Sequence, residues 1–237
     1  VGTVVWTVHT SFRALQPHAA GWLAGILRWS RLHPKLGEIA AAITDPGHPE
    51  GRGLAMFASL LLVSTLGFVA ILTAAIEKGG WGGLDYAAYQ ALQSLRTPWA
   101  DHLFVFLSRL ADTPVVLALA ATIGGYHAVH RRWRNLGYWL AAVGFALAAS
   151  AILKPLLQIP RPDAGIDDLH SYAFPSGHTL RATVIYGFLA IELARGLATR
   201  WRWVPYAGAG LVACGVALAR CYLGAHWLSD VIGSLAL

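Results

Sequence analysis

Three short runs in this chain hold residues suited to gripping a phosphate and breaking a bond to it. The first, KPLLQIPRP, separates Lys154 from Arg161 by six residues and follows Arg161 with Pro162. The second, FPSGH, covers Phe174 to His178. The third, RCYLGAHWLSD, carries Arg220, His226 and Asp230. Guanidinium groups bind phosphate oxygens two at a time, and an ammonium adds a point charge. Ser176 and Gly177 open a helical run, where unpaired N–H groups and the dipole favour an anion, and Gly177 lets the backbone come close. His226 and Asp230 stand four apart, so on a helix they share a face and the carboxylate orients the imidazole. An imidazole so held is a candidate nucleophile. His178, arriving from another run, is a candidate acid for the leaving oxygen.

Each part also has a plainer reading. Lys154 and Arg161 would be cations snorkelling at a membrane boundary, and His226 with Asp230 a structural helix pair. Convergence favours chemistry, because charges at membrane depth are costly and mark functional interiors. Arg181, one turn past His178, is read as structural. Asp163, Asp167, Asp168 and His170 are read as a solvated loop rimming the pocket in preference to a metal site. Trp203, Tyr206 and Trp227 are expected in an interfacial aromatic belt, and Glu192 with Arg195 as a local helix pair.

The elements that must position these residues follow from composition. Of 237 residues, 56% are hydrophobic and 13% charged, against about 25% charged in an ordinary soluble domain. That excludes a disordered tail, a coiled coil and a charge-rich soluble binding module. The net charge of +6 is scattered between apolar segments, which is not the basic patch a nucleic-acid partner needs. Cys214 and Cys221 give no disulfide framework.

An all-α fold is expected: a polytopic transmembrane bundle of about six spans, with a short interfacial amphipathic helix. The spans are placed at 54–76, 113–129, 136–157, 177–194 and 204–218, with a sixth beginning near His226 and truncated. Amphipathic stretches are expected at 84–96 and 98–112. Residues 1–52, broken by Pro17, Pro34, Pro46 and Pro49, read as a linker or interfacial segment, the tail of a preceding region. Residues 53–237 read as the membrane-embedded domain, and a start at Val1 suits fusion to another membrane domain upstream. Arg131, Arg132 and Arg134 follow the second span; Arg195, Arg200 and Arg202 follow the fourth. Such a bias marks a cytoplasmic side, which leaves the three chemical runs on the exoplasmic face.

In order and spacing the three runs resemble the three-part motif of the type 2 phosphatidic acid phosphatases, a group that shares its site with vanadium haloperoxidases. The resemblance covers about residues 54–237, including the amphipathic segment that ends in LRTP. It implies a membrane lipid-phosphate phosphatase acting on phosphatidate, phosphatidylglycerol phosphate or a polyprenyl diphosphate. His226 would form a phosphohistidine, with Asp230 holding its other nitrogen and His178 as general acid. Lys154, Arg161, Ser176, Gly177 and Arg220 would cradle the phosphoryl oxygens, with no cofactor and no metal. The partners implied are the lipid substrate and the surrounding lipids of a plasma membrane, the inner membrane in a bacterium. Ala219 departs from the pattern, which usually has Ser there; one phosphate hydrogen bond is lost, but neither nucleophile nor acid. A phosphotransferase with the same site, or a lipid-phosphate binding or transport module without turnover, stays open as an alternative. Haloperoxidase chemistry fits less well with so many spans.

Overall fold

The computed structural model describes residues 49–76, 82–162 and 172–237. The expected linker lies outside these residues except at its end, where a helix already starts at Pro49. Proline suits the first turn of a helix, since its missing N–H would go unpaired there anyway. The acidic stretch 163–170 also lies outside the described residues.

Every regular element among the described residues is a helix. These are α1 (Pro49–Ile76), α2 (Gly82–Ser94), α3 (Pro98–Arg109), α4 (Thr113–Val129), α5 (Trp133–Leu157), α6 (Gly177–Arg195), α7 (Trp203–Tyr222) and α8 (Leu228–Ala236). A single 3-10 turn, Thr199–Trp201, precedes α7. By its contacts the chain divides within α1 into Val1–Val63 and Ser64–Leu237, and all of the packing below belongs to the second unit.

Four stretches among the described residues are long and apolar enough to cross a membrane: Met56–Ile76, Pro98–Val129, Trp133–Leu157 and Thr199–Tyr222. The second of these joins α3 to α4 across a turn. Helix α6, with 19 residues, carries His178, Arg181, Glu192 and Arg195, and α8 has nine residues. Neither qualifies on length and composition, so the count reached by that measure is four, not the expected six.

Helix ends are set by local chemistry. Thr97 and Asp112 are extended residues in front of α3 and α4, each followed by a proline in the first two helical positions. At the end of α5, Gln158 turns left-handed (φ 51°) and its N–H returns to the Lys154 carbonyl at 3.0 Å. The chain therefore swings away one turn after Lys154.

Helix α3 lies across the end of α7. At one end, the Thr97 N–H donates to the Tyr222 hydroxyl at 3.1 Å; at the other, Arg220 Nη1 donates to Ser108 Oγ at 3.1 Å. Between them, the rings of Phe104 and Tyr222 lie 4.1 Å apart. Arg220 and Tyr222 share the last turn of α7, so both ends of α3, about 18 Å apart at 1.5 Å per residue, are fastened to one place.

The centre of the bundle is α6, packed most extensively on α7 and next on α5. Its small residues Ala182, Ala190 and Ala194 are buried, as is Ala213 of α7, and small side chains let helix backbones approach closely. On the other side, Val116, Trp139, Val143, Ala146 and Ile185 form one cluster across α4, α5 and α6. The Trp139 indole there donates to the Ala120 carbonyl at 3.0 Å, which satisfies a fully buried N–H. Outward faces carry large apolar side chains such as Leu66 of α1, Leu156 of α5 and Leu211 of α7, a pattern suited to lipid. Trp203 and Tyr206 are exposed at the start of α7, where belt residues were expected.

Candidate active site

The third run builds the buried heart of the site. After α7 the chain reverses through Gly224, whose φ of 75° favours glycine. The Ala225 and His226 N–H groups then both point back to the Arg220 carbonyl, at 3.1 and 3.2 Å. His226 and Asp230 do not share a helical face, as their spacing suggests. His226 stands ahead of α8, with Trp227 at the N-cap and Asp230 at the third helical position. One carboxylate oxygen, Asp230 Oδ2, lies 3.2 Å from His226 Nδ1 and accepts the Trp227 N–H at 2.9 Å. The same acid therefore starts the helix and orients the histidine.

A carboxylate only accepts, so His226 Nδ1 carries the proton and Nε2 keeps its lone pair. Both side chains are about 1% exposed. Burial first, then the positive charges of Arg220, Lys154 and Arg161, push the His226 pKa well below the ordinary 6.5. The imidazole is thus held neutral, and the same influences bring the cations of the first and third runs together around it.

Two of the cations come from helix ends. Lys154 sits half-buried in the last turn of α5, and Arg220 is buried in the last turn of α7. Arg161 is half-buried in the segment after α5. That segment is fastened by Trp227, whose indole donates to the Pro160 carbonyl at 2.9 Å. Trp227 therefore acts as a strut inside the site and not simply as a belt residue. Ala219 is fully buried.

The second run meets the third directly. Ser176 caps α6, and its N–H points at the Asp230 carbonyl at 3.4 Å. Its Oγ accepts from Thr179 Oγ1 at 3.1 Å. A Cβ on Gly177 would come within 3.2 Å of Ser150 Oγ, so glycine here also lets α6 approach α5. Phe174 is fully buried with its ring against Gly233, where a Cβ would sit 2.6 Å from the ring. That contact presses the FPSGH turn onto α8.

His178 has both ring nitrogens engaged. Arg181 Nη2 lies 3.3 Å from Nδ1, and Asp112 Oδ1 lies 2.9 Å from Nε2. A guanidinium only donates, so Nδ1 accepts and the proton sits on Nε2. Arg181 also bonds the Gly177 carbonyl and Thr113 Oγ1, which ties the start of α6 to the start of α4 and agrees with its structural reading. The Glu192–Arg195 pair is likewise present, far from the site.

Three contributors were not singled out in the sequence. Asp112 holds His178, Ser108 holds Arg220, and Asp85 accepts from the Ser229 N–H at 2.9 Å and its hydroxyl at 2.7 Å. Asp85 is buried on α2, and an acid as the one charged residue of that amphipathic helix was the signal that could have found it. Among the described residues no His, Cys, Asp or Glu cluster comes together as a metal site. What converges is positive charge and N–H groups, the surroundings of an anion.

Comparison with known proteins agrees with this chemistry. The family model of the PAP2 superfamily matches residues 135–237. Phosphatidylglycerophosphatase B of Bacillus subtilis (strain 168) is 31% identical over 179 residues, covering 74% of this chain and 88% of that protein. The crystal structure of a transmembrane PAP2 type phosphatidylglycerolphosphate phosphatase from Bacillus subtilis superposes with a TM-score of 0.68 at 27% identity, over 74% of this chain and 89% of that one. Aquifex aeolicus LpxE, at 24% identity and a TM-score of 0.50 over 65% of this chain and 89% of its own, shares the fold.

Proposed function

The chain belongs to the PAP2 superfamily and is a membrane lipid phosphatase, and from that premise we propose that it hydrolyses a lipid phosphomonoester or diphosphate through a phosphohistidine. The observation that carries this reading is the neutral, buried His226 fixed by Asp230 beneath the charges of Arg220, Lys154 and Arg161.

In the first step His226 Nε2 attacks phosphorus; a P–N bond forms as the P–O bond to the lipid breaks. His178, protonated on both ring nitrogens when it acts as the acid, gives its Nε2 proton to the departing oxygen and is left as the neutral imidazole. Lys154, Arg161, Arg220 and the N–H groups at the start of α6 neutralise the three phosphoryl oxygens, whose charge is largest in the transition state. In the second step water attacks the phosphohistidine and gives a proton to His178, which restores both histidines and releases inorganic phosphate. Asp230 steadies the imidazolium that arises when Nε2 is phosphorylated.

The reading includes a six-span topology in which α1, α4, α5, α6, α7 and α8 cross the membrane and α2 and α3 lie at one interface. Support comes from α3, whose two ends both meet the last turn of α7. It comes also from α6, which is packed between α5 and α7 despite its charges. The basic segments after α4 and α6 fall at the opposite end of these helices from Lys154, His178 and Arg220. By the bias of cations towards the cytoplasm, the site faces the exoplasmic side of the plasma membrane.

The test is phosphate release by purified protein from phosphatidate, phosphatidylglycerol phosphate and a polyprenyl diphosphate, with and without EDTA. Release with all three motifs intact and its loss in His226→Ala is the expected result. Undiminished release by His226→Ala sinks the mechanism.

A further inference from the structure

Beside the phosphoryl cradle lies a cavity of about 570 Å³ whose lining includes Arg96, Ser108, Arg109, Asp112, Arg220 and Ala225. Three of these tie it to the chemistry. Arg220 belongs to the cradle, Ala225 precedes His226, and Asp112 is bonded to the Nε2 proton of His178. In the mechanism above that proton goes to the leaving oxygen. The cavity therefore opens from the side on which the leaving group departs.

Its remaining charged lining comes from the two ends of α3. Arg96 is held by Asp101 through two bonds of 3.1 and 3.0 Å. Arg109 is exposed and forms no hydrogen bond or ion pair with any described residue. Asp112 is the single carboxylate of the lining, and it is already engaged with His178. The volume falls in the range of pockets that enclose whole small molecules, about 300–1,000 Å³, so there is room for more than a departing oxygen.

We propose that Arg109 forms a second anion subsite that selects lipid phosphates whose leaving group carries a phosphate of its own. The inference rests on the catalytic reading above and narrows it. Phosphatidate releases an uncharged diacylglycerol and leaves this subsite empty. Phosphatidylglycerol phosphate releases a lipid whose phosphodiester stands one glycerol away from the broken bond, and a polyprenyl diphosphate releases a lipid monophosphate. Both of the latter bring an anion into the cavity.

The test compares kcat/KM on phosphatidylglycerol phosphate and phosphatidate with matched acyl chains, using the full chain in neutral detergent micelles. Arg109→Gln lowers kcat/KM on phosphatidylglycerol phosphate by roughly tenfold, the worth of one hydrogen bond to a charged group, mainly through KM. The phosphatidate value is the internal reference, and the ratio of the two is the readout. Arg109→Lys recovers part of the ratio, because a point charge remains without the planar fork. An unchanged ratio, whether both values fall together or neither falls, overturns the subsite. His226→Ala separates the two readings: if it keeps activity, the catalytic assignment fails whatever Arg109 does. A neighbouring anionic lipid presents the same chemistry. If the Arg109→Gln defect appears only when phosphatidylglycerol is added to the micelles, Arg109 serves bystander head groups and the proposal fails.

Discussion

Asp112 Oδ1 and His178 Nε2 lie 2.9 Å apart, joining the start of α4 to the first turn of α6. With Arg181 donating to Nδ1, the carboxylate fixes both the ring and the position of its proton. Asp112→Asn keeps the shape but replaces a charged acceptor by a neutral one. We expect kcat on a natural lipid phosphate to fall about tenfold or more, with the roughly hundred- to ten-thousandfold worth of a general acid as the ceiling. On an aryl phosphate such as para-nitrophenyl phosphate, whose leaving group needs no proton, the defect shrinks. An equal loss on both substrates would mean that Asp112 serves the fold and not the acid.

Asp230→Asn addresses the other histidine. An asparagine can present its N–H₂ to Nδ1 and so stabilise the wrong tautomer, a change that costs about ten-thousandfold in the Ser-His-Asp template. We expect a loss of that order in kcat. Radiolabelled substrate should leave an acid-labile phosphoprotein in the wild type and in His178→Ala, and none in His226→Ala. Label persisting in His226→Ala assigns the nucleophile to another residue.

The pH profile follows from the depressed pKa of His226. Only the neutral imidazole attacks phosphorus, so activity lost on acidification marks the pH at which this ring takes a proton. Because burial and three cations lower that pKa, phosphoenzyme formation should hold steady as pH falls through 6.5. Lys154→Gln removes one of the cations, raises the pKa and moves the acid limb upward. Rapid-quench measurement of the phosphoenzyme burst between pH 4.5 and 8 reads it directly. A limb in Lys154→Gln at or below its wild-type position contradicts the electrostatics.

Gly233 tests the packing behind the site. An added Cβ would sit 2.6 Å from the Phe174 ring, inside a contact that no side chain tolerates, and the ring is fully enclosed. Gly233→Ala should destabilise the protein by about 1–3 kcal/mol, as overpacking does, and lower kcat by shifting the FPSGH turn. Paired melting and kinetic measurements check both. Wild-type melting would show that α8 does not press on Phe174.

The helices and the cation set were legible in the sequence because each leaves a local signature. Apolar runs bounded by Pro and Arg place α4 and α6 almost to the residue, and the spacing of Lys154, Arg161, Arg220 and the two histidines identifies the family. What stayed hidden was tertiary. Asp112, Ser108 and Asp85 are single polar residues whose partners lie 66, 112 and 144 positions away, and no period in the sequence relates them. The lie of α3 across α7 was equally unreadable, since an amphipathic pattern sets which face is wet but not the direction of the axis. The spacing of His226 and Asp230 misled for a related reason: an interval of four suggests two residues on a helix, but here the helix begins between them.

That placement of the helix boundary reaches past catalysis. Because Asp230 accepts the N–H of Trp227 at the N-cap of α8 and aligns His226 with the same oxygen, the proposed nucleophile exists as an oriented base only after α8 is seated against Asp85 and Phe174. A nascent chain whose α8 has not yet docked holds the full set of proposed catalytic residues and no working centre. Assembly of the bundle is in this sense the enzyme's on-switch, and membrane lipids are safe from a half-built copy.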